Sequence, residues 1–172
     1  MSVRIPNLQN HSNERGRGVL LLITSLGVFY IVAILMPKRI SWLVIWVTAL
    51  FSLAAEGMSD IILDLHLNLF GYFYPGFQWS GFLAMFIYPP VNVIFLNYYP
   101  HSKSRFHKLV YIAGWTVFCL IFEVAALKSG YFYYTTWKLW HSALCYPVLL
   151  IAVLWQSRLT RRLQRSSDAS VQ

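Results

Sequence analysis

Long apolar runs, separated by short basic or aromatic segments, are the feature that most constrains the fold of this chain. Of its 172 residues, 58% are hydrophobic and only 12% are charged, whereas a soluble domain carries about 25% charged residues. Because so few charges cannot cover a globule of this size, uncharged runs of about 18 residues or more are interpreted as membrane spans. The sequence therefore predicts an all-α integral membrane bundle of about five transmembrane helices.

The predicted transmembrane domain covers residues 18–156, between a polar N-terminal tail at 1–17 and a basic C-terminal tail at 157–172. Its predicted spans are about 18–36, 40–70, 80–98, 109–127 and 139–155. As a helix the second run would be roughly 46 Å long, which exceeds a hydrocarbon core of ~30 Å. We therefore expect it to tilt, to kink near Gly57 or to protrude.

Two further features concern packing within the predicted spans. Pro89-Pro90 predicts a kink or break in the third span, serving either as a static bend or as a gating hinge. Cys119 and Cys145 lie in apolar runs without CxxC spacing. They are expected to be free thiols used in packing, with a disulfide as the alternative.

Basic residues predict the orientation, because lysine and arginine accumulate on the cytoplasmic side of membrane spans. One face carries nine of them: Lys38, Arg39, Lys103, Arg105, Lys108, Arg158, Arg161, Arg162 and Arg165. The other carries Arg4, Arg15, Arg17, Lys128 and Lys138. We therefore expect the N-terminus outside and the C-terminus in the cytoplasm. The net charge is +8, and the basic residues that cause it flank the spans rather than forming a patch. This distribution favours membrane lipids over nucleic acid as partners.

Three carboxylates recur every four residues within the second apolar run: Glu56, Asp60 and Asp64. This spacing places them on one helical face. Because the run contains no lysine or arginine, the stripe requires partner groups, protons or a cation. Counted from the basic ends of their helices, Glu56 and Glu123 lie roughly 24 Å and 21 Å deep. They are therefore expected at similar depth in the outer half of the bundle.

The carboxylates predict an outward-facing acidic-aromatic pocket that binds a cation, a cationic solute or a lipid headgroup. Its predicted residues are Glu56, Asp60, Asp64, Glu123, Lys128, Tyr72, Tyr88, Tyr131 and Trp137. Lys128 is the expected internal counter-ion. The alternative is a structural or partner subunit, in which buried polar groups fix helix register and assembly within a homo-oligomer or with another membrane protein.

Metal binding and catalysis are weaker alternatives. His66 and His141 could join the carboxylates at a metal, but histidines near a membrane interface are more often plain interfacial residues, so no metal or cofactor is predicted. No GxSxG, HExxH, P-loop or GxGxxG motif occurs. Asp60 and Asp64 form a DxxxD, as in membrane phosphatidyl-alcohol transferases, but the upstream element of those enzymes is missing. A lipid-modifying enzyme is therefore a third possibility, and no catalytic residue is assigned.

Several motifs between residues 37 and 155 resemble a known family. They are Tyr72-Phe73-Tyr74-Pro75, Tyr88-Pro89, Asn97-Tyr98-Tyr99-Pro100, Phe118-xxx-Phe122-Glu123, Gly130-Tyr131, Trp137-Lys138 and Ser142-xxx-Tyr146-Pro147. Together they resemble a small family of multi-spanning membrane proteins from spore-forming Gram-positive bacteria, bacilli and clostridia, whose acidic pair Glu56 and Asp60 match. The resemblance implies a bacterial plasma membrane and about five helices. It implies no enzymatic activity and carries over no catalytic residue.

Overall fold

A computed structural model describes residues 8–72 and 79–170 of the chain. The chain is mostly helical, so the predicted all-α class is confirmed. The α-helices of the described part are α1 Leu8–Leu35, α2 Trp42–Ser59, α3 Trp79–Ala84, α4 Tyr88–Tyr98, α5 Arg105–Ser129 and α6 Leu139–Ser170. Two short strands, β1 Phe70–Tyr72 and β2 Phe132–Tyr134, were not expected from the sequence.

Four helical segments in the described residues are long and apolar enough to cross a membrane. They are Gly16–Leu35, Trp42–Asp64, Arg105–Ser129 and Leu139–Ser167. Helix α1 begins before the first of these and α6 runs to Ser170, so helical structure extends into both segments that were expected to be tails. The predicted third span is divided instead, with a shorter apolar helical stretch at Phe82–Tyr98.

The prolines explain where the helix type of that third segment changes. A 3₁₀ turn, Met85–Ile87, separates α3 from α4. Pro89 and Pro90 lie in the first turn of α4, where a missing N–H removes no intrahelical hydrogen bond. The change from α-helical to 3₁₀ hydrogen bonding therefore falls immediately before the prolines, and the backbone stays helical through it.

The second predicted run stays helical through Gly57 and changes to a π-helix one turn later. Helix α2 passes through Gly57 and continues as a π-helix over Asp60–His66. A Cβ atom on Gly57 would lie 3.0 Å from the Cε atom of Met85. The end of the Met85 side chain, from the 3₁₀ turn, therefore lies directly against Gly57 on α2.

Hydrogen bonds between distant segments define the two ends of the bundle. At the basic end, formed by residues 37–41, 97–108 and 158–164, the Asn97 side chain accepts from the Arg39 amide at 2.7 Å and donates to the Pro37 carbonyl at 2.9 Å. At the strand end, β1 pairs antiparallel with β2, so that Phe70 faces Tyr134 and Tyr72 faces Phe132. One apolar cluster around Phe95 and another around Phe70 form the core.

Large apolar side chains cover much of the outer surface, while several polar side chains are buried between the helices. Thr48 and Ser157 are fully buried, whereas Trp46 and Trp155 on the same helices are each 65% exposed. The Thr48 hydroxyl donates to the Gln156 side-chain oxygen at 3.1 Å and so joins α2 to α6. Extended apolar surface of this kind needs a non-aqueous environment or a partner.

Candidate functional site

A cavity of about 150 Å³ lies between the helices and reaches the strand end of the bundle. All four long helices, α4 and both strands contribute to its wall. Nine of the lining residues are aromatic: Phe29, Phe51, Tyr72, Tyr88, Phe118, Phe122, Tyr131, Phe132 and Tyr146. Among the described residues of the wall, Glu56 and Glu123 are the only acidic ones, and none is Lys, Arg or His. The described wall of the cavity is therefore largely aromatic, with two acidic side chains and no basic one.

Glu123 on α5 is the centre of a buried hydrogen-bond network. Only 5% of this residue is exposed. The Tyr134 and Ser142 hydroxyls each donate to its Oε1 atom at 2.6 Å, and the Tyr146 hydroxyl donates to Oε2 at 2.9 Å. A carboxylate offers about four lone-pair positions, so three are filled by protein. These donors compensate for the removal of the carboxylate from water.

Three different elements position those donors. Ser142 and Tyr146 are four residues apart on α6 and therefore share one face of that helix, while Tyr134 comes from β2. The Trp137 indole N–H donates to the Ser142 hydroxyl at 2.8 Å, which holds the serine in place. Burial, followed by the hydrogen bond to Glu123 and its charge, raises the pKa of Tyr134. The phenol therefore keeps its proton and remains a donor.

Glu56 on α2 is bound to the same two-stranded sheet. The Tyr72 hydroxyl on β1 donates to its Oε1 atom at 3.2 Å. Because β1 and β2 are paired, a single small sheet supplies one phenol to each of the two carboxylates. Next to Glu56 in the cavity wall, the Asn92 amide donates to the Ser52 hydroxyl at 2.9 Å. This bond links α4 to α2 beside the acidic group.

The structure brings together some of the predicted pocket residues. Those that line the cavity are Glu56, Glu123, Tyr72, Tyr88 and Tyr131. Asp64 and Lys128, the latter expected as a counter-ion, lie outside its lining, and Trp137 contributes only through Ser142. The side chain of Asp60 lies outside the described part of the structure.

The sequence did not predict which hydroxyls donate hydrogen bonds to Glu123, nor that Ser52 and Asn92 lie beside Glu56. Ser142 and Tyr146 belong to one of the motifs quoted above. Their four-residue spacing within an apolar span places two hydroxyls on one helical face, which is a signal that they share a polar partner. Tyr134 carried no such signal, because its position depends on pairing of β2 with β1. The described residues contain no group of three or more His, Cys, Asp or Glu side chains able to hold a metal ion.

This arrangement suits a ligand that has positive charge and an apolar body. Carboxylates attract the charge, and aromatic faces stabilise a cation through their quadrupoles. Hydrophobic walls with few polar groups are typical of small-molecule sites. Comparisons with protein-family models, with curated proteins and with solved structures find no match.

Proposed function

We propose that the chain is a multi-pass protein of the bacterial plasma membrane, with the strand end outside and the basic end in the cytoplasm. Four helices have the required length and apolarity. Their outward side chains are apolar and their inward ones include Thr48 and Ser157, as expected where lipid surrounds the bundle. Lysines and arginines concentrate at one end, which supports the orientation.

Cysteine labelling tests this orientation. In a background with Cys119→Ser and Cys145→Ser, we expect a membrane-impermeant maleimide to label a Thr136→Cys variant in intact cells. A Ser102→Cys variant should react only after the cells are permeabilised. Both native positions are exposed, so each thiol can be reached from its own side. The opposite pattern would contradict the proposed orientation.

We further propose that the cavity binds an organic cation, for which Glu56 and Glu123 provide the negative charge. The observation that carries this proposal is that two carboxylates from different helices line one aromatic cavity without a basic residue in its described wall. Three donors already occupy Glu123, so a metal ion that gave up its water ligands would find few free oxygen atoms to replace them. A quaternary or protonated amine needs fewer direct oxygen contacts and gains from the aromatic faces.

Equilibrium dialysis of the purified protein with labelled choline tests the cation pocket. Choline carries a quaternary ammonium group, and 3,3-dimethylbutan-1-ol has the same shape without the charge. We expect choline to bind at least about tenfold more tightly than the alcohol. Only choline has a positive charge that aromatic faces and carboxylates can stabilise. Equal binding of the two compounds would contradict the proposal.

A structural role in a membrane assembly is the second candidate. The bond between Thr48 and Gln156, extended by the bond from Gln156 to Thr160 at 2.9 Å, is buried and distant from the acidic groups of the cavity. Hydrogen bonds of this kind hold neighbouring helices together in membranes. The bonds among Thr48, Gln156 and Thr160 support a role in fixing helix register, whereas the composition of the cavity wall supports ligand binding.

A further inference from the structure

Basic side chains from two helices lie near a histidine of the loop between α4 and α5, at the basic end. Burial most strongly lowers the pKa of His101, and the positive charges of Arg161, Arg158 and Lys108 lower it further. His101 lies in the loop between α4 and α5, where its ring packs against Tyr99 at 4.9 Å. Lys108 is in the first turn of α5, and both arginines are on α6. Like charges gathered in this way repel one another unless an anion lies between them.

Arg161 shows where such an anion is needed. Its Nη2 atom is shielded from solvent and has no hydrogen-bond partner among the described residues. A shielded donor without an acceptor lowers the stability of the folded protein. A guanidinium group can donate two parallel hydrogen bonds to the paired oxygens of a carboxylate or phosphate. The acidic side chains that the structure describes are elsewhere: Glu56 and Glu123 line the cavity, and Asp64 lies in the π-helix that leads to β1.

We propose that Lys108, Arg158 and Arg161 bind the phosphodiester headgroup of an anionic phospholipid. Large exposed apolar side chains lie within two residues of Lys108 and Arg158 in the chain: Phe106 is 71% exposed and Leu159 is 42% exposed. They would contact acyl chains while the headgroup meets the cations, as at basic pockets on the cytoplasmic side of other membrane proteins. This inference rests on the proposed membrane insertion and is independent of the cation pocket.

Thermal unfolding in detergent tests this site with three added probes: dioctanoyl phosphatidylglycerol, dioctanoyl phosphatidylcholine and inorganic phosphate. We expect phosphatidylglycerol alone to raise the melting temperature, with saturation. Arg161→Gln and, separately, Lys108→Gln should each weaken its apparent affinity by about five- to tenfold, because each removes one cation from the site. Arg162→Gln is the matched control, since Arg162 is exposed on the same helix and does not act on His101.

Equal shifts with phosphatidylcholine, or unchanged affinity in both Arg161→Gln and Lys108→Gln, would overturn the proposal. An equal shift with inorganic phosphate would overturn the assignment to a lipid. Choline binding, measured on the same samples, should be unchanged by Arg161→Gln. The reverse labelling pattern would overturn the proposed orientation, whereas lost selectivity in a correctly inserted protein would overturn the lipid site alone.

Discussion

A double variant with Glu56→Gln and Glu123→Gln is expected to lose choline binding while retaining its fold. Glutamine preserves the shape of each side chain, and its amide oxygen still accepts from the hydroxyls of Tyr72 and Ser142. It removes both negative charges from the cavity wall. We expect choline affinity to fall by about 30-fold or more, which corresponds to about 2 kcal/mol.

The matched control for this variant is Asp64→Asn, which removes a carboxylate from the same helical run but outside the cavity lining. It should leave choline binding unchanged. Melting temperature and size-exclusion behaviour report on the fold of each variant. Choline binding that persists in the double variant would refute the cation pocket. Loss of folding or insertion in that variant would instead support the structural role.

Phe95→Ala is expected to cause the largest loss of stability of any single change considered for this chain. Phe95 is fully buried. Its ring stacks on Tyr111 at 5.5 Å and meets Trp115 edge-on at 5.6 Å. Truncating a buried phenylalanine costs about 3–5 kcal/mol. The Tyr111 hydroxyl donates to the backbone carbonyl of Phe95. Because the substitution keeps this backbone acceptor, the measured loss of stability reports on side-chain packing.

Titration of the purified protein with denaturing detergent measures this loss as a change in the free energy of unfolding. Phe106→Ala is the control, because 71% of Phe106 is exposed and its truncation leaves no cavity. We expect a change within about 0.5 kcal/mol for the control. Similar losses in the two variants would show that Phe95 is not a packing centre of the core.

Local patterns account for the parts of this protein that the sequence predicted. A helix needs only its own backbone hydrogen bonds, so long apolar runs were enough to predict the helical class. The rise per residue of an α-helix predicted similar depths for Glu56 and Glu123. In the structure both residues line one cavity. The Pro89-Pro90 pair indicated an interruption of α-helical bonding in the third segment, because proline position is constrained by the backbone itself.

Contacts between segments distant in the chain decided the rest. Strands β1 and β2 are separated by some 60 residues, and a short strand has no stability without its partner, so neither strand was expected from the sequence. That pairing brings Tyr72 to Glu56 and Tyr134 to Glu123. The sequence by itself thus determined the helices and their acidic residues. Only the tertiary structure decided which hydroxyls hold those carboxylates, since hydrogen-bond partners depend on how separate segments pack.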